Sequence, residues 1–164
     1  MLRSTIAAGL FVIFPAAFAQ PLVAPAPSPA RYVDAIDWPT KEAGLKRFAW
    51  MEYALGLSFE RLCGDTFCEG RFSNLRPMQL SCSVDAAKGT VKQCLWMFSG
   101  SSMTVDPASG TIRPSSRVYE CKLPLGRDTP VESLYDALDS SELLHAKLPM
   151  TNRIIYNRLR DCLR

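Results

Sequence analysis

The sequence predicts a small α+β fold, in which an antiparallel meander of three or four strands is packed by N- and C-terminal helices and held by disulfides. Three observations lead to this prediction. Residues 78–98 contain two strand-like stretches joined by a short turn. Segments on either side of them repeat apolar residues at helical spacing. Six cysteines follow an apolar N-terminus, which is typical of exported domains with disulfides.

The central hairpin follows from a strict alternation of apolar and polar residues over 78–84, which places every second side chain on one face. A turn at 85–90 leads into 91–98, which is rich in apolar and aromatic residues. Placing Cys82 opposite Cys94 brings their Cβ atoms to about 4.5–5.5 Å, within disulfide reach. The same register pairs further apolar residues on that face: Leu80 with Trp96, and Met78 with Phe98.

A third strand is predicted after the turn-forming residues 106–110. Tyr119, Cys121 and Leu123 alternate with polar residues and belong on the covered face of the sheet. Because Pro114 has no N–H to donate to a ladder, this strand either lies at an edge or begins after Pro114.

Residues 41–62 predict a helix capped by Thr40, with Gly56 as a point where it could divide into two. We expect Trp50 and Met51, beside the main apolar stripe, to be buried under a strand, the alternative being an exposed patch for a partner. The predicted stripe itself consists of Leu45, Phe48, Ala49, Tyr53, Leu55 and Phe59.

Two helices are predicted near the C-terminus. Thr129 is placed as the cap of the first, with Pro130 at its first position and Glu132 completing a capping box. The last helix begins at about Asn152. Its inward residues are predicted to be Ile155, Leu159, Cys162 and Leu163.

The N-terminus has the pattern of a secretory signal peptide, residues 1–19, with one charge at Arg3 and an apolar run too short to span a bilayer. Residues 20–31 are rich in Pro and Ala and predict an extended spacer, followed by a single domain at 32–164. We therefore expect a periplasmic protein if the source is bacterial, and a secreted protein otherwise.

The even number of cysteines predicts disulfides in an oxidising compartment, although six cysteines allow 15 complete pairings. No pair has the Cys-x-x-Cys spacing of thioredoxin-type redox sites or zinc knuckles. The preferred pairing is Cys63–Cys68, Cys82–Cys94 and Cys121–Cys162.

Charge and motifs argue against several functional classes. Removing residues 1–19 leaves 18 basic and 16 acidic side chains, a net charge of +2 that is too near balance for a dedicated nucleic-acid binder. His145 is the single histidine, and no Gly-x-Ser-x-Gly elbow accompanies it. Because no phosphate-binding loop, dinucleotide fingerprint or calcium loop occurs, we expect no cofactor and no metal.

The loop closed by Cys63 and Cys68 is the predicted contact site for a protein partner, because a rigid loop loses little entropy on binding. Its candidate contact residues are Asp65, Phe67, Glu69, Arg71 and Phe72. An alternative role makes Asp65 and Glu69 a catalytic pair of carboxylates in a small hydrolase.

These features favour a non-enzymatic binding protein of the cell envelope, for example an inhibitor or immunity protein that blocks a toxin or a wall-degrading enzyme. Export, small size and disulfides support this hypothesis, as does the lack of a recognisable catalytic set. The alternatives are an accessory factor in envelope assembly and the hydrolase described above.

Overall fold

The computed structural model describes residues 31–63, 67–68, 72 and 74–164, and in them the predicted α+β fold is confirmed. The antiparallel sheet consists, in this spatial order, of β1 (Tyr32–Asp34), β2 (Arg76–Asp85), β3 (Thr90–Val105) and β4 (Ile112–Lys122). A short fifth strand, β5 (Thr129–Pro130), pairs with β3. The predicted signal peptide, and the predicted spacer except for its last residue, lie outside the described residues. The helices are α1 (Lys41–Leu62), α2 (Val131–Ala137) and α3 (Ile155–Cys162), and 3₁₀ helices lie at Ala35–Asp37 and Leu143–His145.

The predicted register of the β2–β3 hairpin is confirmed at its centre, where Cys82 faces Cys94 and Leu80 faces Trp96. The predicted pairing of Met78 with Phe98 is wrong. A register shift between Pro77 and Leu80 places Pro77 opposite Phe98 and leaves Met78 54% exposed. Irregularities of this kind add an unpaired residue and re-aim its side chain, and an alternating sequence does not reveal where one occurs.

The third predicted strand is β4, and its position at an edge of the sheet is confirmed. Pro114 lies within it opposite Met103, where an edge strand tolerates the missing N–H. The preceding turn is held by the carboxylate of Asp106, which accepts the backbone N–H groups of Ala108 and Ser109. These two hydrogen bonds hold the pKa of Asp106 below its ordinary value.

Helix α1 begins as predicted, with the Thr40 hydroxyl accepting the backbone N–H of Ala43. It runs without a break through Gly56, so the division considered there does not occur. The helix covers one face of the sheet, where the buried ring of Phe59 lies 4.7 Å from that of Phe98 and 6.1 Å from that of Trp96 between centroids. These rings form the centre of the core.

The buried face of α1 is rotated from the predicted one. The predicted burial of Phe48, Leu55 and Phe59 is confirmed, as is that of Met51. The predicted burial of Leu45, Tyr53 and Trp50 is wrong, because all three are exposed, and Ala49 is half-buried. Gly44 constrains this orientation, because a Cβ atom there would collide with the backbone carbonyl oxygens of Ala35 and Ile36. The inward face of α1 consists of Gly44, Phe48, Met51, Leu55 and Phe59.

The predicted capping box of α2 is wrong. Thr129 belongs to β5, opposite Val91, and its hydroxyl donates to the carbonyl oxygen of Gly126. Pro130 therefore precedes the helix without a side-chain cap, and Glu132 is instead bound by Arg47.

The last helix begins at Ile155 rather than at Asn152. Its predicted inward residues Ile155, Leu159 and Leu163 are buried, while Cys162 is half-buried.

All three predicted disulfides are confirmed: Cys63–Cys68, Cys82–Cys94 and Cys121–Cys162. The last joins α3 to the edge strand β4, so the end of the chain is fixed to the sheet. Three disulfides are consistent with an oxidising extracellular environment. Within the described ranges, no helix combines the length and apolar character that crossing a bilayer requires.

Candidate functional site

Two of the five loop residues predicted to contact a partner lie in the core. The ring of Phe67 is buried and stacks on Phe59 with centroids 5.3 Å apart, and the ring of Phe72 lies edge-on to Tyr119. Asp65, Glu69 and Arg71 lie outside the described residues. Their role, in partner contact or as a hydrolase pair, stays a prediction.

His145 ends a 3₁₀ helix and is exposed, with its ring stacked on that of Tyr156 at a centroid distance of 4.9 Å. Serine, cysteine and carboxylate side chains do not hydrogen-bond to it in the part of the chain that is described. Among those residues, no group of three or more His, Cys, Asp or Glu side chains is placed to hold a metal ion.

Among the Phe, Trp and Tyr residues that the structure describes, the two most exposed lie on the solvent face of α1. Trp50 is 68% exposed and Tyr53 is 58% exposed, and their ring centroids are 5.9 Å apart. Leu57, one turn beyond Tyr53, is also exposed. We call Trp50 and Tyr53 the aromatic ridge, because a depression lies on either side of them.

On one side of the ridge is the α1–β2 groove, a cavity of about 220 Å³ between the helix and the start of β2. Its lining residues are Glu52, Tyr53, Gly56, Leu57, Glu60, Pro77, Met78 and Trp96. Gly56 lies on the floor of this groove, and a Cβ atom added there would reach only the Pro77 ring, at 3.9 Å. Packing therefore does not require glycine at this point, although glycine lowers helix stability.

Two contacts hold this groove in shape. The carboxylate of Glu52 accepts the backbone N–H of Leu80 at 2.6 Å, which ties the irregular part of β2 to the helix. At the other end, Arg76 forms an ion pair with Glu60 at 3.3 Å. The register shift that turns Met78 outward is thus anchored by a side chain of α1.

On the other side is the α1–α2 pocket, a cavity of about 190 Å³. Its lining residues are Arg47, Trp50, Met51, Ala54, Tyr135, Asp136, Leu138 and Asp139. Both terminal N–H groups of Arg47 donate hydrogen bonds to the carboxylate of Glu132, at 2.7 and 2.8 Å. The Arg47 guanidinium also lies 4.2 Å from the centre of the Tyr135 ring. These hydrogen bonds raise the pKa of Arg47 and lower that of Glu132.

The hydroxyl of Tyr135 is buried and has no hydrogen-bond partner among the described residues. Burial raises the pKa of Tyr135, an effect that the nearby positive charge of Arg47 partly offsets. Removing the hydroxyl should therefore stabilise the protein, because a buried polar group without a partner costs free energy.

We expect Tyr135→Phe to raise the free energy of unfolding by up to about 1 kcal/mol at neutral pH. Because folding raises the pKa of Tyr135, the free energy of unfolding is unaffected by its titration below the ordinary pKa of 10.0. As the pH rises above that value, the unfolded tyrosine ionises first and the folded state loses stability. The Phe variant should lose less stability between pH 9 and 11 in urea titrations. Tyr53→Phe, on the exposed ridge, is the control, and a Tyr135→Phe curve that matches it would contradict the prediction.

A second apolar surface lies on the β3–β4 arm, residues 102–115, where these two strands continue past the end of β2. Val105 faces Ile112 and Met103 faces Pro114, so all four side chains point to one side of the arm. All four are exposed. The opposite side is polar, with Thr104 paired to Arg113.

Comparison with protein-family models, curated proteins and solved structures gave no match. The functional proposal therefore rests on the two exposed surfaces and on the disulfides. The sequence did contain a sign of the ridge, because Trp50, Tyr53 and Leu57 repeat at i, i+3 and i+7 beside the buried stripe.

Proposed function

We propose that this chain is an exported, non-enzymatic binding protein of the cell envelope, which docks its aromatic ridge on a single protein partner. The partner class we favour is a toxin or wall-degrading enzyme, which makes the chain an inhibitor or immunity protein. The observation that carries the proposal is the exposure of Trp50 and Tyr53 between two depressions.

The residue types at the ridge suit an interface. Trp and Tyr are enriched among the residues that dominate binding free energy, and such residues lie at the centre of well-packed contacts. An aromatic ridge with a cavity on each side offers both a protruding anchor and recesses for the side chains of a partner. Trp50 and Tyr53 are on a 22-residue helix packed on the core, so little ordering entropy would be lost on binding.

The proposed location is supported by the three disulfides, which suit an oxidising compartment. Two of them, Cys82–Cys94 and Cys121–Cys162, fix the sheet and the last helix, which strengthens the scaffold behind the ridge. A rigid scaffold favours tight binding to one partner.

A second candidate function is that of an accessory factor in envelope assembly. The apolar side of the β3–β4 arm favours it, because a factor that brings components together needs more than one contact surface. The inhibitor hypothesis instead requires that one surface dominates the affinity.

Trp50→Ala is expected to weaken partner binding at least about 30-fold, which corresponds to about 2 kcal/mol at an interface centre. Oxidised residues 32–164 serve as bait in envelope and culture fractions of the source organism. The captured protein is then purified and titrated by calorimetry against wild type and variant.

The matched control is Met103→Ala on the arm, which is also highly exposed. Both substitutions remove an exposed apolar side chain and should leave the melting temperature unchanged. Binding lost with Trp50→Ala and retained with Met103→Ala supports the proposal. The reverse pattern favours the assembly factor, and binding unaffected by Trp50→Ala overturns the role of the ridge.

A further inference from the structure

The α1–α2 pocket beside the ridge combines apolar walls with an acidic mouth. Met51 and Leu138 are buried side chains at its base, and the exposed ring of Trp50 forms one wall. Asp136 and Asp139 are both exposed at the end of α2. A ligand that fits these surroundings has an apolar stem and a polar end.

The charges of the pocket are not balanced. Among its lining residues Arg47 is the cation, and its guanidinium is occupied by the carboxylate of Glu132, which lies outside the lining. No ion pair within the described residues engages Asp136 or Asp139. The charge of Asp136 also contributes to the raised pKa of Arg47, so this one cation faces the three carboxylates of Glu132, Asp136 and Asp139. The pocket and its rim therefore keep an excess of negative charge, and the partner group that complements it is a cation.

The exposed indole adds a second attraction for a cation. A guanidinium or ammonium over the face of Trp is stabilised by the ring quadrupole, and Trp is the best of the aromatic residues in this respect. Long basic side chains also bury their methylene stems against apolar surface while the charged end stays near water. Both features match this pocket, which has apolar side chains at its base, the Trp50 ring on one wall and carboxylates at its mouth.

We propose that the α1–α2 pocket receives an arginine or lysine side chain of the protein partner. The stem lies against Met51 and Leu138, and the cation lies between the Trp50 ring and the carboxylates of Asp136 and Asp139. This inference rests on the proposed function, because it names the side chain that the partner of the ridge inserts. It makes the partner surface basic at that point.

The test uses N-acetyl-arginine amide as the probe, with N-acetyl-citrulline amide as its neutral counterpart at matched ionic strength. Binding is followed by NMR through the Trp50 indole N–H, assigned with Trp50→Phe, and through the backbone amides of residues 134–139. We expect saturable shifts with the arginine probe, with a dissociation constant on the order of 10 mM, and none with citrulline.

The double variant Asp136→Asn/Asp139→Asn should weaken arginine binding at least about fivefold. Its matched control, Glu120→Gln/Asp161→Asn, removes the same charge from exposed positions on β4 and α3 and should bind like wild type. Equal shifts with citrulline, equal binding by the two double variants, or no saturable shift would each overturn the pocket assignment.

The two proposals fail separately. If the arginine probe does not bind but Trp50→Ala still abolishes partner capture, the basic side chain is wrong and the ridge stands. If the probe binds as expected but partner capture is indifferent to Trp50, the ridge is wrong, and the pocket is a cation site whose occupant does not come from that partner.

Discussion

Replacing Cys121 and Cys162 by alanine is expected to lower the free energy of unfolding by about 4 kcal/mol. The disulfide closes a loop with a sequence separation of 41, and its removal restores that freedom to the unfolded chain. Urea unfolding followed by circular dichroism measures the loss. A loss of this size is a large part of the total stability of a typical small domain, about 5–15 kcal/mol.

The other two disulfides are the matched controls. Cys82–Cys94 has a separation of 12 and Cys63–Cys68 a separation of 5, for which the same chain-entropy relation gives about 3 and about 2 kcal/mol. The three double variants should therefore rank by loop length. If the Cys121–Cys162 variant lost the least stability, the entropic account of this bond would be contradicted.

Phe59→Ala is expected to cost about 3–5 kcal/mol, because it removes a fully buried ring from the centre of the core. The Phe59 centroid lies 4.7 Å from that of Phe98, 5.3 Å from that of Phe67 and 6.1 Å from that of Trp96. These neighbours come from the sheet and from the Cys63–Cys68 loop, so the cavity cannot close by moving one element. The midpoint of thermal or urea unfolding reports the loss.

Leu57→Ala is the control for this substitution, since Leu57 lies two residues away on α1 and is exposed. It should change the free energy of unfolding by no more than about 0.5 kcal/mol. A similar loss for both variants would contradict the prediction, because alanine has the highest helix propensity and only lost packing can account for the difference expected between the two positions.

The centre of the sheet was predictable because two independent constraints agreed there. An alternation with a period of two and a pair of cysteines select the same register around Cys82 and Cys94. The pairing failed at Met78, where one extra residue shifts the strand without any change in sequence pattern. An alternating pattern shows which residues share a face only while the strand stays regular.

Helix α1 shows a different limit. Its apolar residues exceed what one face can hold, so the sequence alone does not decide which of them are covered. The decision depends on Gly44, whose missing side chain allows contact with the backbone at Ala35 and Ile36. Because glycine has no side chain, a pattern of apolar side chains in the sequence does not reveal this contact.

For the same reason the sequence predicts the candidate site only in part: an exposed patch at Trp50 is the alternative to its burial, and Tyr53 is assigned to the buried stripe. With Gly44 against the backbone of Ala35 and Ile36, Trp50 and Tyr53 face solvent, although both are residue types that usually lie at least partly inside. The predicted α2 capping box is wrong because Thr129 pairs with Val91, a contact between segments distant in sequence. Local sequence patterns do not show that strand pairing with a distant segment competes with helix capping.

The β3–β4 arm divides the sheet into regions of unequal local stability. Near Cys94, β3 has neighbours on both sides and a helix above it, whereas residues 102–105 pair with β4 alone and bury little apolar surface. The arm should therefore open and re-form on its own, at a fraction of the free energy of global unfolding. Fluctuations would therefore be concentrated in the β3–β4 arm, which would open while the rest of the sheet stays folded.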